Sequence, residues 1–174
     1  ERSGVGRQLA ESIAARSNGN LIDAQQIMGW LEGPKRCGEF GRMDVKAIRE
    51  AALILGLDYV QLVPEGPAGD YASIEAPIIV ELPGHLPLKD LLAYAGAWNG
   101  QAAFILLDYK EVALLPELSF LEPLMARYPV LIDCPVADPN VYYTLMEAGA
   151  TGINLQGTPE DVTGEKSFDD LNGF

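Results

Sequence analysis

A chain of 174 residues, 48% hydrophobic and 21% charged, is long enough for one well-buried core and short for two, so a single globular domain over residues 1–174 is expected. A formal net charge of -13 repels polyanions and anionic lipid, which argues against nucleic-acid binding and membrane docking. The same average charge leaves room for a small phosphorylated ligand in a locally basic pocket.

Cys37 and Cys134 fall in different predicted strands without the spacing of a metal knuckle or redox pair, and are read as reduced, buried thiols of a cytoplasmic protein. The longest uncharged stretch, Leu91 to Leu107, is interrupted by Gly96, Asn99, Gly100 and Gln101, so no transmembrane helix is expected. The opening residues show no secretory signal.

In chain order, "VGRQLAESIAARS" places apolar Val5, Leu9 and Ile13 at helical spacing, and "NLIDAQQIMGWLEG" also reads as a helix. "KRCGEF" is a short strand. "MDVKAIREAALILGL" offers Asp44 as an N-cap, a stripe of Val45, Ile48, Ala52 and Leu55, and Gly56 as the stop. "DYVQLV" and "PIIVEL" are strands on either side of a Gly/Pro-rich break, and "LPLKDLLAYAGAW" returns to helical spacing. "QAAFILLD" is a strand, "PELSFLEPLMARY" a helix interrupted by Pro123, and "PVLIDC" a strand. "DPNVYYTLMEAGA" has Asp138 as cap, Pro139 at the first helical position and Gly149 at its end, before a last strand in "TGINLQ".

Short apolar strands alternating with amphipathic helices predict a parallel α/β sheet. Six strands are expected, near 35–40, 59–62, 78–82, 102–108, 130–134 and 152–156. A doubly wound open sheet accommodates that number, whereas a closed barrel needs eight strands. No G-x-G-x-x-G follows a strand, so dinucleotide binding has no support.

In both architectures ligands gather at the carboxyl ends of the strands, which here are Glu39, Gln61, Glu81, Asp108, Asp133 and Asn154 to Gln156. A carboxylate closing a buried strand needs a partner, a ligand or water, because desolvating a charge is costly. Clustered carboxylates hold Mg2+ in some proteins. No compact metal-ligand motif is present, however, and the lone His85 in "LPGHLP" reads as a surface or loop residue. Trp30 and Trp98 read as core or boundary packing, and at most one of Tyr142 and Tyr143 is expected inside.

The order of these motifs resembles the phosphoribosylanthranilate isomerase family over roughly residues 21–174. "GPKRCGEFGRMDVKAIREAALILGLDYVQL" is similar to that family's third strand, third helix and fourth strand, and "AAFILLD" to its sixth strand. "GATGINLQGTPEDVTGEKSFDDL" is similar to its eighth strand and phosphate loop. The resemblance implies a TIM (β/α)8-type barrel, incomplete at the N-terminus with about six βα units visible. It also implies an Amadori rearrangement of an N-ribosylated anthranilate 5-phosphate, without a cofactor or metal, on a small phosphorylated sugar substrate.

Under that resemblance Asp108 is the general acid. Gln61, Asn154, Gly157, Thr158, Gly164 and Lys166 are the substrate- and phosphate-binding candidates. The family's base is a cysteine in a "K.CG" stretch closing the first strand. Cys37 matches it superficially, but "KRCGEF" precedes the third helix and aligns with the third strand. The chain departs elsewhere too: Val63 stands where the family has a histidine, "DCPVADP" replaces a glycine pair, and Asn154 replaces an aspartate. The alternative expectation is a noncatalytic relative that binds a phosphosugar or a protein partner. An open sheet edge in such a scaffold calls for covering, by the helix of "VGRQLAESIAARS" or by a second copy in a homo-oligomer.

Overall fold

The computed structural model describes residues 24, 35–109, 118–133 and 139–154. The segments 5–17 and 20–33, Trp30, Cys134 and Asp138, and Gly157, Thr158, Gly164 and Lys166, for which the sequence raises expectations, lie outside the described residues, apart from Ala24, which is helical.

The described elements are β1 (Cys37–Glu39), α1 (Val45–Leu55), β2 (Tyr59–Leu62), a 3-10 turn (Ala68–Tyr71), β3 (Ile78–Pro83), α2 (Leu88–Ala97) and β4 (Ala102–Asp108). A second 3-10 turn (Leu118–Phe120), α3 (Glu122–Met125), β5 (Val130–Asp133), α4 (Pro139–Glu147) and β6 (Gly152–Asn154) follow. The hydrogen-bonded strand order is the chain order, β1-β2-β3-β4-β5-β6. β1 with β2, β4 with β5, and β5 with β6 run parallel. A doubly wound sheet reverses its strand order at a switch point, whereas a TIM-type barrel adds each strand beside the last. The unreversed order belongs to the barrel class, with six of its strands among the described residues.

The chain divides into two units, Glu1–Ile79 and Val80–Phe174. In the first, Asp44 caps α1: its Oδ1 accepts from the backbone N–H groups of Lys46 at 3.0 Å and Ala47 at 3.2 Å. Gly56 closes the helix at φ 60°, a left-handed conformation that a side chain would strain. Ile48, Ala51 and Ala52 turn inward from the helix, and Val60 and Leu62 are buried in β2. At the start of β2, Asp58 Oδ2 accepts from the Arg36 N–H at 2.9 Å and Oδ1 from Lys35 Nζ at 3.0 Å. These contacts hold the Asp58 carboxyl below its usual range, the Arg36 amide first among them.

In the second unit, Ile105, Leu106 and Leu107 are buried in succession. Consecutive burial means both faces of β4 are covered, as in parallel sheets flanked by helices. Leu91 and Ala95 supply the buried face of α2, with Trp98 buried at its C-cap, and Leu121, Leu124 and Met125 supply that of the segment around α3. Pro123 does not interrupt a long helix there. It lies in the first turn of the four-residue α3, where its missing N–H has no intrahelical partner to lose, and a 3-10 turn takes the preceding residues. α4 begins at Pro139, as its sequence predicts, and Gly149 follows it at φ 100°.

The expectation that Cys37 is buried is overturned. Cys37 begins β1 and is exposed, because the period-2 alternation of that strand turns Gly38 inward and Cys37 and Glu39 outward. His85 is exposed and Trp98 buried; Tyr142 is half-buried and Tyr143 exposed.

Candidate active site

Parallel pairing in the second unit sets three polar residues level with one another. Asp108 closes β4, Asp133 closes β5 and Asn154 closes β6, and the registers Asp108↔Asp133 and Asp133↔Asn154 put them in one row. Residues in register on neighbouring parallel strands project to the same face, with backbones about 4.8 Å apart. Below this row lie Leu107, Ile132 and Ile153, and below those Leu106, Leu131 and Gly152. The apolar run therefore delivers two carboxylates and an amide together at the carboxyl edge of the sheet.

Their environments differ. Asp108 is half-buried, and its carbonyl accepts from the Gly84 N–H at 2.8 Å. Asp133 is 0% exposed, with Oδ2 accepting from Asn154 Nδ2 at 2.9 Å. The Asp133 carbonyl accepts from the Tyr109 N–H at 2.8 Å, which carries the β4–β5 ladder one residue past the strand. Asp108 is thus the carboxyl group of the row with solvent access, and Asp133 is a fixed group behind it. A half-buried carboxyl at a strand end can donate or accept a proton from a bound ligand, while a fully buried one held by an amide orients its neighbours.

Tyr109, directly after Asp108, is 2% exposed and packs its ring against Gly84. A Cβ at Gly84 would lie 2.5–2.6 Å from the ring carbons, so only glycine permits this contact. Among the described residues the Tyr109 hydroxyl accepts no partner, and burial pushes the phenol up to about 12. Tyr109 was not singled out from sequence, whereas Asp133 was named there among the polar strand ends. The signal for Asp133, an aspartate ending the apolar run "VLID", was the same one that singled out Asp108.

In the first unit, Gln61 is buried within β2, and its carbonyl accepts from the Phe40 N–H at 2.9 Å. Cys37 stands at the opening of β1, not at its carboxyl end. Its thiol is pushed above the ordinary value by desolvation first and then by the Glu39 carboxylate, against a lowering from the Gln61 backbone. Such a thiol is mostly protonated at neutral pH and makes a weak base. Glu81 lies inside β3, which continues to Pro83, and so does not close its strand. Among the described residues, no group of three or more His, Cys, Asp or Glu side chains could hold a metal ion. No helix there is long and apolar enough to cross a membrane. A small cavity lined by Ala95, Trp98, Ala102, Ile105, Arg127 and Pro129 lies at the opposite end of β4 from Asp108.

Several solved structures resemble this chain. The phosphoribosylanthranilate isomerase of Thermotoga maritima, described as monomers generated from a dimeric enzyme, aligns with TM-score 0.70 and 20% identity over 89% of this chain and 77% of its own. A phosphoribosylanthranilate isomerase in complex with reduced 1-(o-carboxyphenylamino)-1-deoxyribulose 5-phosphate aligns with TM-score 0.67 and 20% identity over 90% and 77%. An aldolase, QR15, aligns with TM-score 0.63 and 15% identity over 78% and 74%. The likeness is one of fold. It establishes a TIM-barrel-type scaffold of the kind phosphoribosylanthranilate isomerases use, shared also by an enzyme of different chemistry. No family model and no curated protein sequence matches the chain.

Proposed function

We propose that this chain is an aldose–ketose isomerase of the phosphoribosylanthranilate type, acting on an N-(5-phosphoribosyl)arylamine in tryptophan biosynthesis, with Asp108 as general acid. The observation that carries the reading is the placement of Asp108, half-buried at the end of β4 and level with Asp133 and Asn154. In this reaction an acid protonates the furanose ring oxygen so that the C–O bond opens, and a base then removes the proton from the sugar C2. Asp108 supplies the first proton. Asp133, held by Asn154, keeps the floor of the site fixed so that Asp108 meets the ring oxygen in one geometry. The role of C2 base is assigned to no described residue: Cys37 opens its strand and its thiol holds its proton.

The phosphate is assigned to the segment after β6. Gly157, Thr158 and Gly164 offer backbone N–H groups that approach an anion closely, and Lys166 adds a charge. Soluble, cytoplasmic action on a small phosphorylated sugar without a cofactor fits the acidic, cofactor-motif-free sequence.

A second reading, a noncatalytic phosphosugar-binding relative, is favoured by one observation. The side-chain amide of Asn154, where the family carries an aspartate, is engaged with Asp133. Calorimetry with reduced 1-(o-carboxyphenylamino)-1-deoxyribulose 5-phosphate tests the site common to both. Binding weakened about tenfold or more by Lys166→Ala is expected, and no heat at millimolar ligand would remove both readings.

A further inference from the structure

Asp108 is the last residue of β4, the point at which a chain ordinarily gains freedom as its ladder runs out. A general acid cannot use that freedom, since displacing a reacting group by about 1 Å costs about a hundredfold in rate. Here the backbone is tied on both strands beside it. The Asp108 carbonyl accepts from the Gly84 N–H, and the next N–H, that of Tyr109, donates to the Asp133 carbonyl, each at 2.8 Å. Gly84, Asp108, Tyr109 and Asp133 all belong to the second unit. The side chain of Tyr109 closes these ties into a loop. It is 2% exposed, and its ring carbons Cζ, Cε1 and Cε2 lie 2.5–2.6 Å from the point where a Cβ of Gly84 would stand, with the hydroxyl oxygen farther off. Three ring carbons at nearly equal distance put that point over the face of the ring, so Gly84 rests on it. The N–H that holds the Asp108 carbonyl is thus carried by a residue that the ring after Asp108 supports from the other side.

We propose that Tyr109 is a positioning residue for the acid: the flat face of its ring seats Gly84, and through the Gly84 N–H it fixes the direction in which the Asp108 side chain leaves the backbone. The inference rests on the reading of Asp108 as general acid. The loop consists of one hydrogen bond from Gly84 to Asp108, one packing contact from Gly84 to the Tyr109 ring, and the peptide bond between Asp108 and Tyr109. The staggered positions open to a side chain follow the torsions of its own backbone, so a peptide free to swing at Asp108 would carry the carboxyl with it. The ring, and not the hydroxyl, does the seating, because the hydroxyl has no hydrogen-bond partner among the described residues. An aliphatic side chain of similar bulk would fill part of the volume but present no flat face to Gly84. Glycine at 84 and an aromatic ring at 109 are therefore two halves of one device that aims the carboxyl of Asp108.

Two measurements on the full-length chain test this, with Tyr109→Leu, Tyr109→Phe and Gly84→Ala compared with wild type at a temperature where unfolding curves show each folded. The first is steady-state turnover of N-(5-phosphoribosyl)anthranilate. Tyr109→Leu and Gly84→Ala are expected to lower kcat tenfold or more with KM within about twofold, because the substrate still binds and only the acid is misaimed. Tyr109→Phe, which keeps the ring, is expected to recover kcat to within about threefold of wild type. The second is hydrogen exchange at the Gly84 amide, which needs no turnover: protection is expected in wild type and Tyr109→Phe, and at least a tenfold loss of it in Tyr109→Leu. A kcat unchanged in Tyr109→Leu, a Tyr109→Phe variant as slow as Tyr109→Leu, a rise in KM in place of the fall in kcat, or Gly84 protection indifferent to Tyr109→Leu would each overturn the inference and leave the acid reading of Asp108 standing. A folded wild type without turnover would instead remove that reading, and this inference with it.

Discussion

Asp133 and Tyr109 show how a single buried polar atom constrains the rim. Asn154 gives one hydrogen bond to the buried carboxylate of Asp133. Its replacement by leucine removes a donor to a charged acceptor and is expected to cost about 1–3 kcal/mol in urea unfolding; an unchanged midpoint would mean that the bond contributes nothing. Tyr109 carries the opposite situation, a buried hydroxyl without a partner among the described residues. Tyr109→Phe is therefore expected to leave stability at pH 7 unchanged or to raise it by up to about 1 kcal/mol. The pH dependence follows from the raised phenol. With a folded value of about 12 against an ordinary 10.0, the native state keeps its proton where the unfolded chain has lost it. Stability is level below about pH 10 and falls as pH rises toward 12, by about 1.4 kcal/mol per unit of difference. Thermal unfolding across that window is expected to show the fall in wild type, and Tyr109→Phe to flatten it.

Among the elements, β2 and β4 were legible to the residue, because each is an apolar run bounded by turn formers or a charge. The cap and stop of α1 were legible for a local reason, since Asp44 and Gly56 act within a few residues of their own positions. The segment around Pro123 was not, because where a helix begins depends on packing that periodicity does not encode, and the proline proved to be a starter. Cys37 was misread because type suggests burial while strand alternation decides it. The close approach of Gly84 to Tyr109 was invisible, since it joins two segments distant in sequence. Gly84→Ala is expected to cost about 1–3 kcal/mol in chemical denaturation because the ring is held and cannot yield; combined with Tyr109→Ala, which removes the ring, the penalty of the alanine at 84 should largely vanish, and a persistent penalty would locate the strain elsewhere.

For the molecule as a whole, the sequence left two architectures open, and strand order decided between them: β1 to β6 follow one another without reversal. The candidate site was half legible. Asp108 stood out as a carboxylate ending an apolar strand, whereas its alignment with Asp133 and Asn154 needed the register. The central claim is that this row is a working acid site. Its most direct test is the decay of anthranilate fluorescence when N-(5-phosphoribosyl)anthranilate, made enzymatically, meets the protein or its Asp108→Asn variant. Decay faster than buffer, reduced at least about a hundredfold by Asp108→Asn in a variant that unfolds at the wild-type midpoint, is the expected result. Equal rates for wild type and variant, or no acceleration by a folded wild-type chain, would contradict it.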